Sequence, residues 1–439
     1  MTRTVAFATL GCRLNQVDSQ EMQAALERRG FLAVPIESPA DVVVVNTCAV
    51  TARAEVSDRQ AIARAARRQP GARVVVTGCW AQADPASVAR LPGVHLVVGH
   101  ADRPRLPDLV ETLVGAAPAG GPAAVEVSPV GEAGTLGTPA WPQVPARARA
   151  FVKVQDGCQH RCAFCIVPLV RGRSRSRPPE QVVDHVSRLI EAGYREVTLT
   201  GVDLGHYGAD LTPRTTLAAL LRRLVGLPGL RWVRLSSVLP AYFTPDLLEV
   251  VTGSPRVAPH LHVPLQSGSD RILRRMRRPY TVAMYRRLVE RLAAAIPDLG
   301  LGTDLIVGFP GETEADFEAT LASVRALPFT YLHVFGYSDR PGTEAAGLPG
   351  RVAPRTIADR SRRLRALGQA KNLAFRRSLV GRVEEVLVLD TRERATGRLV
   401  GLTGHYVEVH FEGPDALMRT VVPVRIEAAD VDRTLGVAA

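Results

Sequence analysis

The cysteines of this chain occupy repeated places in its strand and helix pattern, and that placement is the strongest constraint on its fold. The sequence has six cysteines in 439 residues. Three of them lie just past short, mainly apolar runs: Cys12 follows residues 5–10, Cys48 follows 41–46 and Cys79 follows 74–77. Apolar runs that alternate with helical patterns are typical of a buried parallel sheet. Because the carboxyl ends of such strands form a ligand crevice, three separate loops can bring these thiols together.

The first hundred residues therefore predict an open parallel-sheet α/β domain, which we assign to residues 1–114. Helical patterns cover residues 19–29 and 52–68, and a fourth strand is expected at 94–98. Strands that alternate with helices favour a doubly wound sheet. Residues 115–143 are rich in Ala, Gly and Pro, and we interpret them as a linker with a possible strand near 125–130.

The strand and helix alternation resumes in residues 144–372. Six strands are expected, at 151–155, 196–200, 232–236, 260–265, 303–307 and 331–335. Helical patterns separate them, for example at 179–192, 217–225 and 284–295. Six strand–helix repeats predict a partial (β/α)6 barrel rather than the full eight-stranded form, with an open sheet as the alternative.

Residues 373–439 change to short strand patterns separated by turn residues. This pattern predicts a small β-barrel, a class that includes oligonucleotide binders. A purely structural β appendage is the alternative interpretation.

The second cysteine group is compact and has the spacing C-x3-C-x2-C. Cys158, Cys162 and Cys165 follow the first expected barrel strand, so they belong to a loop at its carboxyl end. Three thiolates can hold three irons of a 4Fe-4S cluster and leave the fourth iron open. An open iron can bind S-adenosylmethionine and cleave it to a radical. Zinc is the alternative, since His160 lies inside the motif and could complete four ligands.

The N-terminal group predicts a second three-cysteine 4Fe-4S cluster on Cys12, Cys48 and Cys79, which leaves no cysteine over. Buried core thiols are the alternative for these three positions.

Four further residues are candidate contacts to S-adenosylmethionine. Phe164 could pack against the adenine, with core packing as the alternative. Ser236 and Gln266 follow strands and could hydrogen-bond the methionine or ribose, with turn capping as the alternative. Gly308 belongs to a glycine-containing turn that would let the backbone approach a ligand. No catalytic residue beyond the cluster ligands is assigned.

Charge favours a polyanionic partner. The formal net charge is +12 and the pI is about 10.0, which indicates nucleic acid more than any other partner, although a composition bias toward arginine is the alternative. Two arginine groups could contact phosphates, one at residues 171, 173, 175 and 177 and the other at 274, 275, 277 and 278. A solvated charged face is the alternative for both groups.

The N-terminus has no signal-peptide pattern, and no apolar run is long enough to span a membrane. We therefore expect a cytoplasmic protein with reduced cysteines and no membrane partner.

The sequence resembles the methylthiotransferase family of radical S-adenosylmethionine (SAM) enzymes over nearly its whole length. The motifs that carry the resemblance are GCRLNQVDS, NTCAVT, TGCWAQ, VQDGCQHRCAFCIVPLVRGRSRSR, HLHVPLQSGSDRILRRMRRPYT and TDLIVGFPGET. The C-terminal barrel resembles the family's TRAM domain, an RNA-binding module. The resemblance implies a radical cluster on the second cysteine group and an auxiliary cluster on the first that carries sulfur. A second SAM would supply the methyl group.

The motifs GCRLNQ, QDGC and GVDLGHYG are most similar to those of the family branch that modifies C2 of N6-threonylcarbamoyladenosine beside the tRNA anticodon (adenosine 37). The resemblance thus implies tRNA as partner, with an unidentified electron donor and sulfur source and no DNA. The branches acting on isopentenyladenosine in tRNA or on a ribosomal protein are the alternatives, and a zinc-stabilised RNA-binding protein is the non-enzyme alternative. Two departures from the family pattern, at residues 238–240 and 169–170, affect expected cofactor or substrate contacts and not the clusters.

Overall fold

The structure is a computed structural model that describes residues 2–116, 121–132, 136 and 148–439. Among these residues the chain forms two compact units. The first takes in the described residues of Met1–Val144, Gln155–Arg175 and Ser338–Ala346. The second takes in those of Pro145–Val154, Ser176–Tyr337 and Gly347–Ala439. Residues 117–120, 133–135 and 137–143 of the predicted linker, 115–143, and residues 144–147 of the predicted central domain lie outside the described residues.

The first unit contains a parallel sheet of six strands in the order β2-β1-β3-β4-β5-β6. Its elements are β1 (Thr4–Thr9), α1 (Arg13–Glu27), β2 (Leu32–Ala33), β3 (Val42–Thr47), α2 (Ala52–Arg68), β4 (Arg73–Gly78), α3 (Cys79–Ala83), α4 (Pro85–Ala89), β5 (Val94–Val98), α5 (Leu106–Gly115) and β6 (Ala124–Glu126). Strand β3 is buried along its whole length, as expected for a central strand covered on both faces. The predicted open parallel-sheet domain is confirmed.

Helix α1 begins earlier than the sequence pattern predicted. The prediction was 19–29, whereas the helix spans Arg13–Glu27. Its first turns bury the polar side chains of Asn15 and Asp18, so an apolar periodicity could not reveal them. Helix α2 agrees with its prediction because it has an ordinary local start: the Thr51 side chain accepts a hydrogen bond from the N–H of Ala54.

The middle of the chain supplies the six parallel strands of the predicted partial barrel, all in the second unit. The elements here are β7 (Ala150–Lys153), β8 (Gln155–Asp156), α6 (Val167–Arg171), β9 (Arg175–Ser176), α7 (Pro179–Glu191), β10 (Glu196–Thr200), α8 (Leu217–Val225), β11 (Trp232–Leu235), α9 (Pro245–Gly253), β12 (His260–His262), α10 (Asp270–Arg275), α11 (Val282–Ala295), β13 (Gly300–Val307), α12 (Glu314–Ala326), β14 (Tyr331–Gly336) and α13 (Pro354–Ser378). The strands form two parallel sheets, β11-β10-β7 and β12-β13-β14. Two parallel bridges, Val233 to Val257 and Ser237 to His262, connect β11 to the segment of β12. The (β/α)6 arrangement is confirmed.

The C-terminal strands form a closed barrel in the order β15-β16-β17-β19-β18. Its strands are β15 (Val383–Arg392), β16 (Leu399–Thr403), β17 (Glu408–Phe411), β18 (Val421–Ala429) and β19 (Thr434–Ala438). Short 3-10 helices elsewhere in the chain span Arg103–Arg105, Val130–Glu132, Leu204–His206, Pro240–Tyr242, Glu344–Gly347 and Asp415–Leu417. Residue 373, where the sequence suggested that this domain begins, lies inside α13, and the first barrel strand starts ten residues later. No helix among the described residues is long and apolar enough to cross a membrane.

The C-terminal barrel packs against the amino-terminal ends of the partial barrel's strands within the second unit. Arg234 of β11 is fully buried and holds both carboxylate oxygens of Glu196, at 2.8 and 2.9 Å. Its guanidinium also donates to the carbonyl oxygens of Gly404 at 2.8 Å and Thr403 at 3.3 Å. The Arg234 guanidinium thus fixes the loop between β16 and β17 to the partial barrel. Glu196 satisfies only part of its donors, and the carbonyl oxygens of that loop accept from the rest.

Gly300 tests this packing, because a Cβ there would lie 2.1 Å from the carbonyl oxygen of His405. Gly300→Ala should push that loop away and lower the free energy of unfolding by about 1–3 kcal/mol, the usual cost of overpacking. Urea denaturation of the full chain measures the change. Gly253→Ala is the matched control, since a Cβ at Gly253 meets nothing within 4 Å. Equal stability of the two variants would contradict the packing.

Candidate active site

The three N-terminal cysteines converge at the carboxyl ends of three adjacent strands. Cys12 follows β1, Cys48 follows β3, and Cys79 is the first residue of α3 after β4. Gly11 has a φ of 91°, and a Cβ there would lie 2.7 Å from the Cβ of Cys48 and 3.0 Å from its Sγ. The backbone beside Cys12 therefore approaches Cys48 so closely that only glycine fits.

The thiols in this group are held in a poorly solvated place. Burial, and to a smaller extent the neighbouring thiols of Cys79 and Cys12, raises the pKa of Cys48 to about 12. Burial also raises the pKa of Cys79, whereas Cys12 is exposed. These electrostatic effects show that the three sulfurs lie near one another. Buried thiols of raised pKa stay protonated at neutral pH, so a bound metal would have to displace their protons.

Amides from α1 and β3 hold the cysteine loops in place. The Nδ2 of Asn15 donates to the carbonyl oxygens of Leu10 at 2.8 Å and Thr47 at 2.9 Å, next to Cys12 and Cys48 respectively. The Nδ2 of Asn46 donates to the carbonyl oxygen of Asn15 at 2.9 Å. The sequence pattern did not reveal these asparagines. For Asn15 a signal was present, since Asn15 and Asp18 stand three residues apart, on one face of the helix that directly follows Cys12.

The second cysteine group lies in the loop between β8 and α6. All three cysteines are partly buried. The N–H of Cys165 donates to the carbonyl oxygen of Cys162 at 3.1 Å, and the N–H of Cys158 donates to that of Gly172 at 3.0 Å. The Sγ of Cys158 accepts from the backbone N–H of His160 at 3.4 Å. Backbone hydrogen bonds within the loop and to Gly172 thus fix the segment that carries the three thiols.

Arg171 connects the second cysteine loop to the first cysteine group. It ends helix α6, is buried, and donates to Asp156 Oδ1 at 2.9 Å, Asn15 Oδ1 at 2.7 Å and Asp18 Oδ2 at 2.9 Å. It also hydrogen-bonds the thiol of Cys79, which lowers the pKa of that thiol against the larger effect of burial. A single guanidinium therefore contacts both cysteine motifs inside one compact unit.

This burial corrects the prediction that residues 171, 173, 175 and 177 share a phosphate-binding face. Arg171 and Arg177 are buried, whereas Arg173 is exposed. The segment is not a single extended strand, because α6 ends at Arg171 and β9 begins only at Arg175.

The second arginine group also divides between surface and interior. Arg274 and Arg277 are exposed. Arg278 is buried, and its Nε donates to the Tyr280 hydroxyl at 2.9 Å. Only part of this group can therefore meet a phosphate.

The four predicted SAM contacts have different surroundings. Ser236 Oγ and Gln266 Oε1 are buried and have no hydrogen-bond partner among the described residues. Phe164 is half-buried in the cysteine loop. The N–H of Gly308 already donates to Glu312 Oε2 at 2.6 Å, and a Cβ at Gly308 would lie 2.3 Å from the Ile357 side chain. Packing and turn formation thus account for Gly308, and its role as a SAM contact stays a prediction.

The residues fit the groups that the sequence predicted. Each site offers three thiols, a donor set suited to iron–sulfur clusters with one iron left open. The glycine beside Cys48 leaves room that a side chain would fill. Buried polar atoms that lack protein partners, at Ser236 and Gln266, are the groups that a polar cofactor would satisfy.

Comparison with known proteins first gives the class. Residues 152–324 match the Radical SAM superfamily, and residues 4–99 match the Uncharacterized protein family UPF0004. The radical SAM methyltransferase TsrM from Kitasatospora setae, solved with cobalamin and a [4Fe-4S] cluster bound, has a similar fold, with a TM-score of 0.61 and 19% identity. That likeness covers 79% of this chain and 77% of TsrM. The fold is therefore that of a radical SAM protein.

Full-length relatives then give the family. The threonylcarbamoyladenosine tRNA methylthiotransferase of Bacillus subtilis is 36% identical, over 96% of this chain and 93% of the relative. The enzyme of the same name in Aquifex aeolicus is 38% identical, over 93% and 97%. The tRNA-2-methylthio-N(6)-dimethylallyladenosine synthase of Acidothermus cellulolyticus is 38% identical, over 99% and 89%. This chain belongs to the methylthiotransferase family of radical SAM proteins.

Replacing Arg171 tests whether its contacts hold the two cysteine motifs. Arg171→Met removes the cation that faces two buried carboxylates, so the free energy of unfolding should fall by about 3–5 kcal/mol. Urea denaturation of cluster-free protein with reduced thiols measures the loss. Arg173→Met on the same segment is the control, because an exposed arginine should change stability by no more than about 0.5 kcal/mol. A similar fall in the free energy of unfolding of both variants would contradict the conclusion that the Arg171 contacts hold the two cysteine motifs.

Proposed function

We propose that this protein transfers a methylthio group to C2 of N6-threonylcarbamoyladenosine in tRNA, beside the anticodon. The observation that carries the proposal is the presence of two three-thiol groups in one compact unit, with one buried arginine that contacts Asp156 beside the second group and Asn15 and Asp18 beside the first. The sequence wording GCRLNQ, QDGC and GVDLGHYG favours the threonylcarbamoyl substrate. Relatives that act on this nucleoside and relatives that act on dimethylallyladenosine match the chain at similar identity, so the branch rests on those motifs and on the site.

The two thiol groups have separate roles in this proposal. Cys158, Cys162 and Cys165 would hold a 4Fe-4S cluster that takes SAM at its open iron, and Cys12, Cys48 and Cys79 would hold an auxiliary 4Fe-4S cluster. When bound, these groups supply the radical that removes hydrogen from an unactivated carbon, the sulfur that replaces it and, from a second SAM, the methyl group.

In this proposal the chain's own residues hold the cysteine loops and orient the bound cofactor. Arg171 fixes the second cysteine loop beside Asp18 and Asp156. Ser236 and Gln266 offer buried polar atoms that would position the cofactor by hydrogen bonds. Burial of Cys48 and Cys79 keeps water from their sulfurs. We further propose a cytoplasmic location, where tRNA, an electron donor and a sulfur source would all be supplied.

Mass spectrometry of tRNA nucleosides tests the proposal. A strain lacking the gene should lose 2-methylthio-N6-threonylcarbamoyladenosine, and the wild-type gene should restore it. Complementation with Cys162→Ala or Cys48→Ala should not restore it. In a purified assay Cys162→Ala should also abolish deoxyadenosine formation, whereas Cys48→Ala should retain it, because only the first change removes a ligand of the SAM-binding cluster.

Other outcomes would redirect the assignment. Loss of the isopentenyl nucleoside instead would show that the chemistry is right and the branch wrong. Unchanged tRNA together with stoichiometric zinc and no SAM cleavage would favour the zinc-stabilised RNA-binding protein.

A further inference from the structure

The interior of the partial barrel is polar along the sheet β12-β13-β14. Along β12, β13 and β14, alternate residues such as Leu261, Leu305 and Val334 pack into the hydrophobic core between strands and helices. The residues between them therefore face the barrel interior. On these three adjacent strands the interior positions include His262, Asp304 and His333.

These side chains form a continuous chain of hydrogen bonds. His260 Nε2 lies 2.8 Å from the Tyr331 hydroxyl, which lies 3.0 Å from His262 Nδ1. His262 Nε2 lies 3.0 Å from Asp304 Oδ1, and His333 Nδ1 lies 3.2 Å from the same oxygen. Five groups are thus linked, and the chain ends at the imidazole of His333.

Asp304 decides how the two imidazoles that flank it are protonated. Burial alone would raise its pKa, but hydrogen bonds from His262 and His333 hold the pKa of that carboxyl well below its usual range. An ionised carboxylate only accepts, so both ring nitrogens that face it carry protons. The other nitrogen of the neutral His333 ring, Nε2, then carries a lone pair that accepts a hydrogen bond from a ligand, and the ring position is fixed.

Exposure separates the two histidines. The His262 side chain is 7% exposed, whereas that of His333 is 54% exposed. His262 is therefore a buried member of the network, and His333 is the member that an incoming molecule can reach.

The rest of the interior favours a polar ligand. The hydroxyl of Thr198 is buried without a partner among the described residues, as is that of Ser236. A hydrocarbon ligand would leave such groups unsatisfied, which is costly.

We propose that His333, positioned by Asp304, accepts a hydrogen bond from the threonine hydroxyl of the substrate nucleoside and so selects the threonylcarbamoyl group over an isopentenyl group, which has no hydroxyl. His333 is the specificity residue, and Asp304 is a positioning residue that acts through it. The inference rests on the proposed function and adds the contact that distinguishes its substrate.

A divalent metal ion is the competing occupant, because the ligand atoms of His262, Asp304 and His333 lie within 4.8 Å of one another. The protonation pattern argues against it. The two nitrogens nearest Asp304 carry the protons that bond to it, and a cation would have to displace both.

Steady-state kinetics on two tRNAs test the proposal, one carrying N6-threonylcarbamoyladenosine and the other carrying unmodified adenosine at that position. For His333→Phe the KM for the modified tRNA should rise about twofold to tenfold, the size expected for one neutral hydrogen bond. The preference for modified over unmodified tRNA should shrink by the same factor. The iron–sulfur absorption and SAM cleavage without tRNA should stay at wild-type levels.

Three further variants separate a specific contact from a structural defect. His333→Gln keeps a hydrogen-bond acceptor on the same strand and should recover part of the preference. Asp304→Asn should lower the preference as His333→Phe does. His410→Phe replaces a histidine of the C-terminal barrel that contacts Glu393 and Glu408, and it should leave the preference unchanged.

The failure of this inference differs from the failure of the proposed function. An unchanged preference in His333→Phe would overturn the inference while wild-type turnover of the threonylcarbamoyl tRNA still supported the function. If the wild type modified only isopentenyladenosine tRNA, the proposed function itself would fail. Tight binding of cobalt(II) that both His333→Phe and Asp304→Asn abolished would identify a metal site and would also overturn the inference.

Discussion

The buried guanidinium of Arg171 is the interaction on which the first unit depends. It donates hydrogen bonds to the carboxylates of Asp18 and Asp156, and it also hydrogen-bonds the Cys79 thiol. Asp18 lies on the helix that follows Cys12, whereas Arg171 lies on the helix that follows Cys165. A buried charge is tolerated only where its partners are in place. The correct folding of one cysteine motif is therefore linked to that of the other.

Both units place their functional groups where parallel strands end or face inward. In the first, three thiols lie at the carboxyl ends of β1, β3 and β4. In the second, interior positions of the partial barrel carry histidines, carboxylates and hydroxyls, while alternate positions form the aliphatic core. A parallel strand therefore contributes some of its residues to the hydrophobic core, while residues at its carboxyl end or on its other face contribute to a site.

The sequence predicted what local pattern determines. Helices such as α2 and α8, and strands such as β5 and β10, have the predicted bounds, because apolar periodicity and ordinary caps define them. The class of each fold and the grouping of the cysteines could also be predicted, since each cysteine follows a strand pattern. The roles of the individual cysteines and of the SAM contacts stay predictions.

Long-range contacts could not be predicted from pattern. The alternation of arginines from residue 171 suggested one exposed face, but the partners that bury Arg171 lie about 150 residues earlier in the chain. The chain from His260 to His333 joins three strands that lie far apart in sequence, so no motif displayed it.

Iron content and Mössbauer spectra of anaerobically reconstituted protein test the central claim, that two separate three-thiol groups each hold a cluster. The wild type should carry about eight irons per chain as two 4Fe-4S clusters. A variant with Cys12, Cys48 and Cys79 replaced by alanine should keep about four, and so should one with Cys158, Cys162 and Cys165 replaced. Loss of all iron in either variant, or a single cluster in the wild type, would contradict the account.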